Sequence, residues 1–164
     1  MKPTIRHAQV RDVNSLLDID LKGYDYPWTI TKWREISGNE DYTLLIATLK
    51  VQPVSMCVWR RKPGSERAEI VKLATKPYYR SQGFATLLLN KVERDLRSAA
   101  IKEAVFTVPE IKCFPGHPDD VSAWLMAREY KPIKPILRDE YCMYGSQCDG
   151  FQFARVLGGV EGVK

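Results

Sequence analysis

Apolar and polar residues alternate along this chain with two different periods. Between Arg11 and Leu21, apolar residues at 13, 16, 17, 19 and 21 fall mostly at helical spacing, with Asp12 in the first turn, and predict a helix. Thr29 to Ile36 predicts a short helix, with Thr29 or Thr31 as its cap and Gly38 just past its end. Phe84 to Leu96 carries Leu88, Val92 and Leu96 four residues apart, flanked by Ala85 and Leu89, which predicts a helix with one apolar face. Asp119 to Arg128 predicts a fourth, with Val121, Trp124, Leu125 and Arg128 on one side. Thr4 to Ala8, Tyr42 to Leu49, Pro53 to Arg60, Arg67 to Thr75 and Ala104 to Val108 read as strands, the second and third joined as a hairpin by Lys50-Val51-Gln52. Near the end, Tyr141 to Gln147 and Phe151 to Leu157 flank Asp149-Gly150, a hairpin signal. Lys131 to Leu137, with Pro132 and Pro135, reads as a distorted strand or a loop. Strands alternate with helices only in the middle of the chain and cluster elsewhere. The expected fold is α/β of the mixed (α+β) kind: residues 1–164 as one domain, with one mixed sheet covered by helices.

Composition narrows the function. With 164 residues, 45% apolar and 27% charged, the chain can bury a core and is not a disordered polymer. The net charge of +5 suits an anionic ligand, and the cations are spread rather than gathered on one readable face, so nucleic acid is not an expected partner. Cys57, Cys113, Cys142 and Cys148 form no CxxC pair, and His7 and His117 stand far apart, so no metal site is expected and the thiols read as reduced. No stretch approaches the ~18 apolar residues of a membrane helix, and the N-terminus has no signal-peptide core. The expectation is a cytoplasmic protein, monomer or homodimer, with no membrane partner.

One stretch carries chemistry: Lys76-Pro77-Tyr78-Tyr79-Arg80-Ser81-Gln82-Gly83-Phe84-Ala85-Thr86. A strand ends, and a helix begins on a glycine where Ser or Asp would be the usual cap. The first N–H groups of a helix, with its dipole, form an anion site. Gly83 leaves room for a phosphate, Ala85 is small, and Arg80 adds a cation. A pyrophosphate fits several donors aimed at one place. The alternative is a plain turn with a solvated arginine.

Residues 68–96 resemble the acyl-CoA-binding motif of the GNAT superfamily of N-acetyltransferases, in which a strand ends near a proline and R/Q-x-x-G-x-G/A opens a helix. The matching residues here are Leu73, Ala74, Thr75, Pro77, Tyr79, Arg80, Gly83 and Ala85. The resemblance implies a GNAT-like mixed central sheet flanked by about four helices. It implies acetyl-CoA as cosubstrate, its pantetheine arm paired with the strand end Leu73 to Thr75. Its pyrophosphate would lie on the turn formed by Arg80, Ser81, Gln82, Gly83, Phe84, Ala85 and Thr86. The first half is most similar to RimI-type protein N-terminal acetyltransferases. "GYDYPWTITKWREI" resembles their loop for the acceptor peptide, which makes Tyr26 and Trp28 candidate acceptor contacts; Trp28 could equally staple two helices to the core.

Transfer to an amine needs a base, and an acid can protonate the departing thiolate. Glu69 is the favoured base. Strand alternation puts it with Val71 and Leu73 on one face, where an apolar setting would raise its pKa. The stretch "AEIV" resembles histone-type members of the superfamily, whose base is that glutamate. The other reading of Glu69 is a solvent-facing partner for an arginine on the next strand. In RimI-type enzymes a catalytic glutamate aligns with Thr107, leaving Glu110 as a displaced second candidate. Their acid tyrosine aligns with Leu125, which cannot donate a proton, so Tyr141 or Tyr144, or water, must serve. The acceptor is then a protein N-terminus, a lysine or a small-molecule amine; the rival from another class is a CoA-binding module without catalysis.

Overall fold

A computed structural model describes residues 2–23, 27–109, 113, 120–143 and 146–158 of the chain. β1 (Thr4–His7) leads through a 3-10 turn at Val10–Asp12 into α1 (Val13–Gly23). Asp12 fixes this start: its carboxylate accepts the Gln9 N–H at 2.7 Å and the Arg6 guanidinium at 2.7 and 2.8 Å. The Arg6 hydrogen bonds hold that carboxyl down at a pKa of about 2. α2 (Ile30–Ser37) is capped by Thr29, whose Oγ1 accepts the Lys32 N–H at 3.2 Å. β2 (Tyr42–Leu49), β3 (Gln52–Arg60) and β4 (Arg67–Thr75) form an antiparallel meander. α3 (Phe84–Ser98) crosses over to β5 (Glu103–Pro109), which runs parallel to β4. A short α4 (Ser122–Ala127) precedes β6 (Lys131–Met143) and β7 (Ser146–Val156).

Among the described residues the strands form one seven-stranded sheet in the order β1-β2-β3-β4-β5-β7-β6. β2, β3 and β4 present residues to two cores, one on each face of the sheet. Leu45, Ala47, Cys57, Ala68, Ile70, Ala104 and Phe106 pack under α3 with Leu88, Leu89, Val92 and Leu96. Leu44, Ile46, Met56 and Val58 pack against Leu16, Ile19, Trp33 and Ile36 of α1 and α2. Burial pushes the Cys57 thiol up to about 12, which leaves it protonated and inert.

Two expectations are corrected here. Asp149-Gly150 is not a hairpin turn: β7 runs straight through it, with Gly150 opposite both Pro109 and Leu137. The pairing of β6 with β7 runs to Met143↔Ser146. Lys131 to Leu137 is strand, and its prolines are tolerated because β6 lies at the sheet edge and its register shifts between Ile133 and Leu137. The second correction concerns β4. Val58 pairs with Lys72 and Trp59 with Ile70, so Val71 has no opposite residue on β3 and β4 bulges there. Leu73 packs on the α3 side while Val71 packs on the α1 side. Glu69 and Leu73 therefore do not share a face.

Beyond the bulge, Lys72 turns towards α1. Its Nζ donates to Asp20 Oδ1 at 2.6 Å, and both side chains are 0% exposed. Asp20 Oδ2 also accepts the Trp28 N–H at 2.8 Å and Trp33 Nε1–H at 3.0 Å. One carboxylate thus joins α1, α2, the chain before α2 and β4. Burial outweighs the attraction of Asp20 and lowers the Lys72 pKa to about 8. The unfolded value lies higher, so between the two the unfolded state binds more protons and stability rises with pH. From pH 8 to about 10, the native protein should gain on the order of 2 kcal/mol over Lys72→Met in urea unfolding; parallel pH profiles would refute this. Asp20→Ala alone should cost about 3–5 kcal/mol, because it leaves Lys72 buried without its partner carboxylate.

Candidate active site

The bulge at Val71 ends the pairing of β4 with β5. Their parallel register runs from Arg67↔Glu103 to Ile70↔Phe106 and stops, although β4 continues to Thr75 and β5 to Pro109. The strands part into a wedge. On the α3 side it opens into a cavity of about 380 Å³ lined by Leu73, Ala74, Thr75, Phe106, Val108, Trp124 and Leu125, with the turn Arg80 to Thr86 at one end. The cavity reaches the edge of β4 that β5 leaves unpaired.

The turn has a geometry that can hold an anion. Pro77–Tyr79 is a 3-10 turn, after which Ser81 and Gly83 take left-handed φ of 59° and 88°. Gly83 caps α3 with no side-chain hydrogen bond, and the first N–H bonded within the helix is that of Leu87, to the Gly83 carbonyl at 2.9 Å. The N–H groups of Phe84, Ala85 and Thr86 therefore point out of the helix end. Successive N–H groups around left-handed residues form a concave anion site. The buried ring of Phe84, with Tyr79 edge-on at 6.2 Å, anchors the helix start. A Cβ at Gly83 would meet nothing within 4 Å, so the glycine answers to backbone conformation and to space for a ligand.

Arg80 lines the cavity, and its guanidinium is engaged by two backbone carbonyls. Nη2 donates to the Gly23 carbonyl at 3.1 Å and Nε to the Thr75 carbonyl at 3.4 Å. It ties the end of α1 to the end of β4. Gly23 makes this junction possible, since a Cβ there would lie 2.8 Å from the Thr75 oxygen. Gln82 Nε2 donates to the Tyr78 carbonyl at 3.0 Å and is not among the cavity's lining residues.

On the opposite face, where the wedge begins, stands Glu69. Arg60 donates to its Oε2 from Nε at 3.0 Å and Nη2 at 2.8 Å, and Thr107 Oγ1 donates to its Oε1 at 3.3 Å. The side chain of Glu69 remains 26% exposed. Its setting is thus polar, an arginine of the neighbouring strand and a threonine, and not the apolar face expected from alternation.

A family model described as the acetyltransferase (GNAT) family matches residues 13–113. The chain belongs to the GNAT family. It is accordingly an N-acetyltransferase that takes its acetyl group from acetyl-CoA. No curated protein matches it. Among solved structures it is similar to the ribosomal-protein-S18-alanine N-acetyltransferase from Escherichia coli, with TM-score 0.81 and 16% identity over 96% of this chain and 95% of that one. It is also similar to Arabidopsis thaliana NAA60 in complex with acetyl-CoA, with TM-score 0.79 and 14% identity over 96% and 100%. A probable acetyltransferase from Staphylococcus epidermidis gives TM-score 0.77 and 11% identity over 94% and 99%. At these identities the structures establish a shared fold.

Within this GNAT frame, Leu73, Ala74, Thr75, Arg80, Ser81, Gly83, Phe84, Ala85 and Thr86 meet around one cavity. Leu125 lines it too and is fully buried, so an apolar side chain occupies the position that the RimI resemblance gives to the acid tyrosine. Trp28 is half-buried: its ring packs 4.9 Å from Trp33, with Lys72 Nζ 4.4 Å above it. Tyr26, Glu110 and Tyr144 lie outside the described residues, as does the side chain of Tyr141. Among the described residues no group of three or more His, Cys, Asp or Glu could hold a metal, and no helix is long and apolar enough to cross a membrane. Sequence reasoning missed Asp20, Lys72, Gly23 and Gln152. Lys72 alone had left a signal, as a lone cation inside the apolar run "EIVKLAT".

Gly83→Val should abolish measurable acetyl-CoA binding in calorimetric titration while the far-UV spectrum stays native, because a β-branched residue is strained at a φ of 88° and reshapes the turn, while its Cβ meets no core atom within 4 Å. Unchanged affinity would exclude the turn as the pyrophosphate site.

Proposed function

We propose that this chain transfers acetyl from acetyl-CoA directly to a primary amine of a protein, an N-terminus or a lysine, with Glu69 as the base. The observation that carries the reading is the wedge itself. Its α3 side offers the turn and the cavity; its other side offers a partly buried carboxylate beside the point where the strands part. Pantetheine pairs with the free edge of β4, and the pyrophosphate rests on the N–H groups after Gly83. The thioester carbon then lies in the mouth of the wedge. The amine attacks it from the Glu69 side, its nitrogen forming the new C–N bond. Glu69 takes the nitrogen's proton, directly or through water. Strand N–H groups beside the bulge stabilise the oxyanion. The C–S bond breaks, and the thiolate takes a proton from water, since Leu125 has none to give.

Trp28 supports a peptide acceptor, as a half-buried aromatic before α2 in the stretch that resembles the RimI-type acceptor loop. The similar Escherichia coli enzyme is named for acetylating the alanine of a ribosomal protein.

CoA release should be measured over peptides with free N-termini, N-blocked peptides containing lysine, polyamines and amino sugars. Turnover on peptides is expected; turnover confined to small amines overturns the protein acceptor, and none on any amine overturns the reading. Glu69→Gln should lower kcat about 10²–10⁴-fold with acetyl-CoA affinity unchanged. An unaltered kcat would remove Glu69 from the mechanism.

A further inference from the structure

The two oxygens of Glu69 are not equivalent. Oε2 accepts two N–H bonds from Arg60, at 3.0 and 2.8 Å. Oε1 accepts one, from the Thr107 hydroxyl at 3.3 Å. A carboxylate oxygen accepts about two hydrogen bonds. Of the two oxygens, Oε1 is the one with capacity left for a proton.

We propose that Thr107 and Gln152 are positioning residues that hold Oε1 of Glu69 at the mouth of the wedge as the oxygen that receives the amine's proton. The inference rests on the reading of Glu69 as the base. Thr107 is the first residue of β5 beyond the last pair with β4, Ile70↔Phe106, so its hydroxyl stands where the strands begin to part. It is 4% exposed and could not have been placed there without partners. Gln152 lies directly opposite it on β7, and its Nε2 donates to Thr107 Oγ1 at 3.2 Å. A hydroxyl has one proton to give. An ionised carboxylate can only accept, and the amide nitrogen can only donate. The chain of bonds therefore has one direction: Gln152 N–H to Thr107 oxygen, Thr107 O–H to Glu69 Oε1. Gln152 occupies an acceptor site of the hydroxyl, and the hydroxyl proton is left to point at the carboxylate.

Arg60 holds the other oxygen from β3, with Tyr42 OH accepting its Nη1–H at 3.3 Å from behind. The carboxylate is thus fixed from both sides by β3 and β5, with Oε1 left as the working oxygen. A threonine that merely filled a buried polar gap would affect stability and leave the rate per folded molecule alone.

The test uses the full chain and whichever amine of the panel turns over fastest. Thr107→Val keeps the side-chain shape and removes the donor; Gln152→Leu removes the group behind it. Both should lower kcat, Thr107→Val by roughly 10- to 100-fold, with KM for acetyl-CoA unchanged. Thr107→Ser should recover most of the loss. In a Glu69→Gln background, Thr107→Val should have little further effect, since the two act through one oxygen. The proposal is overturned if Thr107→Val keeps kcat within about twofold while Glu69→Gln lowers it, if Ser rescues no better than Val, or if the two losses multiply. Should Thr107→Val not fold, Gln152→Leu decides by the same criteria. A native kcat in Glu69→Gln is a separate result: it removes the base, and this inference with it.

Discussion

The unmatched residue Val71 is the constraint on which the site depends. Parallel strands can stay paired along their whole length, and β4 and β5 do so only as far as Ile70↔Phe106. One extra residue on β4 adds twist and turns the rest of the strand away from β5. Several consequences follow together. An edge of β4 is freed in the middle of a sheet, where an extended ligand can pair with it. The cavity under α3 opens between the strands. Lys72 is turned to the α1 face, where the alternation of Ala68 and Ile70 would have sent it into the α3 core.

That last effect shows how the bulge is kept. Lys72, Lys76 and Arg80 stand four residues apart, and each binds the second half of α1: Lys72 to Asp20, Lys76 to Asp18 at 3.0 Å and Arg80 to the Gly23 carbonyl. The contacts grade from fully buried to exposed along the chain from β4 into the turn. The buried one is a poor source of net stability, because desolvating two charges offsets their attraction. It specifies geometry instead. An ammonium that must reach Asp20 cannot face the α3 core, so the bulge cannot relax back to regular alternation without leaving both charges buried apart. The same carboxylate receives the Trp28 and Trp33 N–H groups, so the start of α2 is fixed relative to the wedge.

Local signals carried the fold and the turn. The four-residue spacing of Leu88, Val92 and Leu96 and the glycine before Phe84 depend only on neighbours in sequence, and both correspond to what the chain builds. The β4 bulge does not arise from its own sequence. Arg67 to Thr75 reads as an ordinary strand, and its extra residue exists only in register with β3. For the same reason the sequence leaves Glu69 open between an apolar face and an arginine of the next strand, and the register decides for Arg60, with Thr107 beside it. Asp149-Gly150 misled in the opposite way. Its local preference for a turn was real, but pairing on both sides, with Pro109 and Leu137, holds it extended.

The contact between Glu69 and Thr107 also reinterprets an apparent loss. By its likeness to RimI-type enzymes, the chain has a threonine where a catalytic carboxylate belongs, on β5. Across the parallel pair, β4 supplies a glutamate whose Oε1 lies 3.3 Å from that threonine's oxygen. Neighbouring strands lie less than 5 Å apart, about the reach of a glutamate side chain. With Glu69 as the proposed base, a carboxylate rooted on either strand serves the same point at the mouth of the wedge. What the fold fixes is that point, where the strands part and a thioester and an amine can meet. Which strand carries the carboxylate is secondary, provided the other strand supplies a group that holds it, and a short hydroxyl backed by Gln152 meets that need without filling the opening.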